Sequence, residues 1–317
     1  MYSLIINDLS FDDVKSERYD ISIFASGFES RATYIPKKVK NDCVGNVLVM
    51  GFKEKKISQK REYNDRYYIR RWHKKPILLS TDDDHEIYKS LNESIKGNND
   101  TIKILIDYSS MSRLWYSAVL NWARLGSKGK KIIIDFVYAM GEYKEERKPL
   151  VIKSMLSIPG CEGPGSRLVK SIAIFGLGFN GLASLCVLNQ LEVDSIYLFY
   201  AFPGSTEQNE KKVLDCNEEL IKSYKNKTKS PIRLPIGSIE VSYRILAEII
   251  SQHKADGSII IVPMGPKPHV LSSILIAMRF PEVTCMRVSM EYPKEKNIYQ
   301  DVIPTGVISA SRVIIEK

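Results

Sequence analysis

Two stretches of the chain pass from apolar to amphipathic in the same way. Residues 102–106, IKILI, and 259–262, IIIV, are runs of branched apolar side chains, and each leads through a short polar turn into a helical pattern. In the first helix Met111, Leu114, Trp115, Ala118, Val119, Trp122 and Leu125 recur at the spacing of one helical face. Leu271, Ile274, Leu275 and Met278 repeat that spacing in the second. A nearly unbroken apolar run is what a strand covered on both faces requires, so each unit predicts a buried parallel strand followed by a crossover helix.

The same alternation runs along the rest of the chain. YDISIFA (19–25), VLVMGF (47–52), PILLS (76–80) and KKIIIDFVYAMGEY (130–143) predict further strands, with helices between them. Thr81 and Asp82 are candidate caps for the helix that Gly97, Asn98 and Asn99 would stop. From Ser171 the series restarts: SIAIFGLGFNGLASLCVL, then IYLFYAFPG, PIRLPIG and TCMRVSMEYP, again separated by helical stretches. FASGFESRA aligns with FGLGFNGLA, and DYSSMSRLWYSAVL with PMGPKPHVLSSIL. The expected fold class is therefore α/β: two Rossmann-like domains with mainly parallel sheets, related by internal duplication. Their expected bounds are 1–150 and 151–317, with 144–170 as the connection. PLVIKSML within that connection reads as an added strand, and the tail NIYQDVIPTGVISASRVIIEK as its counterpart in the second half.

Composition narrows the setting. The 317 residues are 44% hydrophobic and 26% charged, ordinary globular values for two domains of common size. No apolar run approaches the roughly 20 residues of a membrane span, and the first ten residues lack the pattern of a secretion signal. Cys43, Cys161, Cys186, Cys216 and Cys285 are scattered singly, as are His73, His85, His253 and His269, so neither a disulfide framework nor a metal site is expected. These features point to a cytoplasmic protein without a membrane partner.

The formal charge of +9 makes an anionic partner plausible. Much of it lies between Lys53 and Lys75, where Arg66, Arg70 and Arg71 interleave with Tyr63, Tyr67, Tyr68 and Trp72, and Lys55 and Lys56 add to the charge. Cations with aromatics suit nucleic acid, whose phosphates they neutralise and whose bases they stack. The competing reading is a solvated helix whose rings pack on the sheet.

In an open parallel sheet, ligands bind beyond the carboxyl ends of the strands. That rule selects Ser26, Gly27, Glu29 and Arg31 after the first strand, and Asp107, Ser109, Ser110 and Arg113 after the fourth. In the second half it selects Gly176, Gly178 and Asn180, then Gly265 and Lys267. GLGFNG (176–181) has the G-x-G-x-x-G spacing between a strand and a helix, where glycines let backbone approach phosphate. The acid that should follow at the end of the next strand is replaced by Ala201, Phe202 and Pro203, so NAD is not expected and no cofactor is assigned. Asp107 and Glu29 carry two readings each: catalytic carboxylates, or respectively a turn cap and an ion-pair partner of Arg31.

PMGPKPH (263–269), with Gly265, Pro266 and Lys267 between the fourth strand and its helix, resembles the ligand loop of CARF domains, Rossmann-like sensors of cyclic oligoadenylates. Gly178 and Asn180 in the first loop share the likeness, and two such units in one chain resemble the SAVED domain of bacterial anti-phage systems. The resemblance implies a nucleotide or cyclic oligonucleotide ligand and a sensor subunit with a separate effector protein. The first half departs from it, carrying Ser109, Ser110 and Arg113 where glycine and lysine would stand. Two alternatives stay open: an enzyme acting on a nucleotide or nucleoside through Glu29 or Asp107, and a nucleic-acid-binding protein using the basic helix at 53–75.

Overall fold

The structure, a computed structural model, describes residues 2–53, 59–81, 83–95, 99–126, 129–142, 151–164, 170–206, 208–254, 257–291 and 301–316. Lys55, Lys56, Asp82, Gly97, Asn98 and much of the expected connection lie outside these residues. The protein is α/β with two mixed, mostly parallel sheets. It divides into two compact units, Met1–Glu142 with Tyr299–Lys317, and Tyr143–Ile298. Among the described residues, no helix is long and apolar enough to cross a membrane.

The first unit begins with β1 (Ser3–Leu9) and α1 (Phe11–Ser16). Then come β2 (Tyr19–Ser26), a single 3-10 turn at Ser30–Thr33, β3 (Val44–Phe52), α2 (Gln59–Trp72), β4 (Ile77–Leu79) and α3 (Asp84–Ser94). β5 (Thr101–Asp107), α4 (Arg113–Asn121) and β6 (Lys131–Gly141) complete its parallel part. The second unit contains β7 (Val151–Ser157), β8 (Lys170–Gly176), α5 (Gly181–Leu191), β9 (Ser195–Ala201), α6 (Asn209–Cys216) and α7 (Glu218–Ser223). After these run β10 (Ile232–Leu234), α8 (Ile239–His253), β11 (Gly257–Pro263), α9 (Lys267–Arg279) and β12 (Val283–Glu291). The last strand, β13 (Pro304–Glu316), returns to the first unit.

The strand orders are β1-β13-β6-β5-β2-β3-β4 and β10-β9-β8-β11-β12-β7. The five strands from β6 to β4 run parallel, as do those from β10 to β12. Central strands are apolar on both faces, as helical layers on both sides demand: Ile21, Ile23 and Phe24 in β2, and Ile104, Leu105 and Ile106 in β5, are wholly buried. α9 is buried from Pro268 to Met278, which explains why its apolar pattern runs nearly all round the helix.

The expected domain bounds need one correction. The strand within the expected connection, β7, pairs antiparallel with β12 of the second unit, while the tail strand β13 pairs antiparallel with β6 of the first. A buried ion pair lies within the second pairing. Asp135 lies in the apolar run of β6 at 0% exposure, and the register sets Arg312 of β13 opposite it. Arg312 donates from Nε and Nη2 to the two Asp135 oxygens, 2.8 Å each, and the Tyr19 hydroxyl donates to Oδ2 at 2.7 Å. β1 then covers the outer edge of β13. A second correction is local: α3 is capped by Asp83, whose side chain accepts from Glu86 N, so Thr81 is not its cap.

Candidate functional site

In the first sheet the chain lays β3 and β4 outward on one side of β2 and then crosses to the other side for β5. The carboxyl ends of β2 and β5 therefore flank a topological switch point, where α/β sheets hold their ligands. Their loops meet there: a Cβ built on Gly27 would lie 3.0 Å from Ser110 Cβ. Ser110 Oγ donates to Glu29 Oε2 at 3.2 Å, and Arg31 Nε pairs with the same oxygen at 2.5 Å. Asn64 on α2, fully buried, donates from Nδ2 to the carbonyls of Gly27 (2.9 Å) and Glu29 (3.2 Å), clamping the first loop from below. Asp301 fastens the far end by accepting from Ser30 N and Oγ, both at 2.6 Å.

The expected residues divide into those at the junction and those beneath it. Gly27, Glu29 and Ser110 form the junction, and Arg113 opens α4 beside it with its side chain partly exposed. Ser26 is wholly buried and donates to Asp65 Oδ1 at 2.5 Å, where Arg61 Nε also binds at 2.7 Å, so it does not face a ligand. Arg31 is a strut: 6% exposed, it donates to Tyr138 Oη at 3.0 Å and Ala139 O at 3.3 Å. Asp107 accepts from Ser109 N (3.0 Å) and Oγ (2.6 Å), and Ser109 Oγ accepts from Ala139 N (2.8 Å). Asp107 thus orders its own turn and ties it to β6.

A wall of rings beside the junction was not visible in the sequence. Phe28 packs on Phe52 at 5.6 Å, and Phe52 on Trp115 at 4.3 Å, with the Arg61 guanidinium 6.0 Å from Phe28. Phe28 and Phe52 are both partly exposed. The signal that could have found them is position: each lies at or just past the carboxyl end of a parallel strand, where apolar side chains have no sheet neighbour left to cover them.

The second sheet reverses its strand order between β8 and β11. Met264 N donates to Gly176 O at 3.0 Å, and Leu177 N to Phe199 O at 2.7 Å. A Cβ on Gly178 would stand 2.5 Å from Met264 O, and one on Gly265 3.0 Å from Leu177 O, so these glycines let one loop lie on the other. Asn217, 1% exposed, donates from Nδ2 to Gly178 O and to Val213 O, both at 2.7 Å. Asn180 is the N-cap of α5, its Oδ1 accepting from Ala183 N at 3.0 Å. Lys267 is the first residue of α9, partly exposed, behind Pro266, which offers no side-chain cap. Beside this junction, Phe202 to Thr206 and Glu210 line a cleft of about 390 Å³. Arg233 stands over the Phe202 ring at 4.5 Å and pairs with Glu210 at 2.9 Å.

His269 sits under the second junction, 1% exposed. Its Nε2 lies 3.2 Å from Leu234 O, which assigns the proton to that nitrogen and leaves Nδ1 as an acceptor with no hydrogen bond. Burial lowers its pKa to about 4, against the bonds to the Leu234 and Pro235 carbonyls. The unfolded imidazole titrates near its ordinary 6.5. Between these values the unfolded chain binds more protons, so stability falls as pH falls. Going from pH 7 to 5 is expected to cost the second unit about 2 kcal/mol, and His269→Gln should flatten that slope in denaturation measured against pH.

The three candidate arginines of the basic helix, Arg66, Arg70 and Arg71, fall differently. Arg66 and Arg70 are exposed, whereas Arg71 is half-buried and donates from Nη2 to Val39 O at 2.7 Å. With Tyr63 and Tyr67 they line a separate cleft on α2. No family model matches this chain, and no curated protein matches it in sequence.

Proposed function

We propose that this chain binds a nucleotide or another phosphorylated small molecule at the switch-point junctions and works as a CARF/SAVED-like sensor subunit, passing the signal to a separate effector protein. The observation that carries the reading is a junction built twice. In each unit the first and fourth parallel strands end side by side, and their loops lie in contact. In each, a buried asparagine from the helical segment after the second strand, Asn64 or Asn217, holds a carbonyl of the first loop. We read this shared device, with the shared strand order, as the mark of two Rossmann-like domains related by internal duplication. In the second junction, Lys267 and the amino end of α9 would meet phosphate, where the helix dipole favours negative charge. In the first, Ser110 and Arg113 would do so.

A second reading is favoured by the Ser110–Glu29 contact, because a partly exposed carboxylate bonded to a hydroxyl can move a proton. Asp107, buried and engaged by Ser109, is a poor catalyst beside it. The two readings differ in turnover.

The test is thermal unfolding with NAD, ATP, cyclic dinucleotides and cyclic oligoadenylates, followed by chromatography of the recovered ligand. A ligand present at about 100 times its dissociation constant stabilises its unit by roughly 2.7 kcal/mol, a shift of about 5–10 °C for a unit of this size. Lys267→Ala should weaken binding about 10- to 100-fold, the loss of a hydrogen bond to a charged group. Ligand returned intact supports the sensor. Ligand consumed, with turnover abolished in Glu29→Gln, supports the enzyme. No shift with any of these compounds removes the small-nucleotide reading.

A further inference from the structure

The basic helix α2 has two faces with different work. On the inner one, Trp72 stacks on Phe24 of β2 at 5.0 Å and 10°, and Tyr68 is wholly buried with its hydroxyl donating to Ala32 O at 2.6 Å. These rings are core. On the outer one, Tyr63, Arg66, Tyr67 and Arg70 follow at spacings of three and four, and with Arg71 they line an open cleft of about 580 Å³. That volume lies in the range of small-ligand sites and accommodates a nucleotide.

The chemistry of the cleft is cationic and aromatic together. Tyr63 is 52% exposed, and Arg66 and Arg70 are exposed beside it. Lys37, from the segment after the 3-10 turn, places Nζ 5.7 Å from the Tyr63 ring and 5.5 Å from the Tyr67 ring. Of the acids on α2, Asp65 is engaged by Arg61 and Ser26, leaving Glu62 as the exposed opposing charge. Arg71 is anchored to Val39 O and lies 5.0 Å from the Trp72 ring, so it adds positive potential to the wall without reaching outward.

We propose that this cleft binds single-stranded nucleic acid, one base stacking on Tyr63 while Arg66, Arg70 and Lys37 meet the flanking phosphates. The exposed ring selects this occupant. An acidic peptide could satisfy the cations but has no flat face for Tyr63, and a duplex keeps its bases stacked inside, out of the ring's reach. The site is independent of the switch-point junctions.

The test is fluorescence anisotropy with labelled dodecamers of U and of dT, titrated over roughly 50 to 200 mM salt. Arg66→Gln with Arg70→Gln should lower affinity at least tenfold and make the log–log salt slope shallower by about 1.4, the release of counterions at two single-strand phosphates. Tyr63→Ala should lower affinity about 5- to 150-fold with the slope unchanged, because stacking is not a charge effect. All three side chains are exposed, so the variants should melt with the parent protein. Absence of binding at the lowest salt overturns the proposal. So does equal affinity for a duplex of the same length, equal displacement by polyglutamate, or a Tyr63→Ala variant that binds like the parent.

Discussion

Arg312→Ala is expected to destabilise the first unit by up to about 5 kcal/mol, and Asp135→Ala by about 3 kcal/mol. In the native fold the Asp135 carboxylate has no solvent contact and is compensated on both oxygens by Arg312 and on one by the Tyr19 hydroxyl. Removing Arg312 leaves a buried charge with one neutral donor. The Arg312 guanidinium keeps some exposure, 24% of the side chain, and also reaches Glu17 at 3.2 Å, which places the loss of Asp135 at the lower end. Removing Asp135 leaves Arg312 its Glu17 contact but takes the partner from Tyr19, whose hydroxyl burial and the carboxylate together hold far above its ordinary titration. Denaturant unfolding should resolve these losses as a shift of the first unit's transition while that of the second stays in place. Replacing both partners, Asp135→Leu with Arg312→Met, should recover most of the stability, since an apolar pair of similar volume avoids the desolvation cost of both ions. Single variants that lose less than about 1 kcal/mol would mean that water reaches the carboxylate.

That ion pair also marks where reading the sequence stops. β5 with α4 and β11 with α9 were legible because burial on both faces imposes local patterns: an apolar run, then a 3.6-residue period. The partner of the tail strand was not, because pairing between residues 135 and 312 is a long-range fact with no local period. One hint stood in the text: an aspartate inside IIIDFVYA needs a cation, and Arg312 in the tail's apolar strand is a complementary oddity. α1 carries a local sign of its own: Ser10 and Asp13 have the capping-box spacing that the structure realises, Asp13 N donating to Ser10 Oγ at 3.1 Å and Ser10 N to Asp13 Oδ2 at 3.1 Å. The junction loops lie where strand order puts them, but the direction of each side chain was hidden. Ser26 turns inward to Asp65, and Arg31 runs under the loop to Tyr138, for reasons that exist only once α2 and β6 have packed. Asn64 and Asn217 could not be singled out, because their partners are loop carbonyls far away in sequence.

Gly181→Ala is expected to cost the second unit at least about 3 kcal/mol, beyond the usual penalty for one extra methyl in a packed site. The G-x-G-x-x-G run suggests glycines cleared for phosphate, yet each meets protein. A Cβ on Gly176 would stand 2.7 Å from the Phe199 ring, one on Gly178 2.5 Å from Met264 O, and one on Gly181 1.6 Å from Cys216 O. The first obstacle is a side chain that can turn. The last is backbone at the carboxyl end of α6, so α5 and α6 must move apart. Cys216 precedes Asn217, the residue that holds Gly178 O and bridges to Val213 O, so displacement there also loosens the loop at the proposed ligand site. Stability and ligand affinity should therefore fall together in Gly181→Ala, whereas Lys267→Ala should lower affinity alone. Gly129→Ala provides the contrast: its φ of +81° carries backbone strain of about 1 kcal/mol, but among the described residues no atom beyond its chain neighbours lies within 4 Å of the new methyl. Denaturant unfolding of the three variants, with binding of the best ligand from the nucleotide panel, separates these cases. A Gly181→Ala protein with parental stability and no ligand affinity would reverse the assignment and make the glycine turn a surface shaped for phosphate rather than for α6.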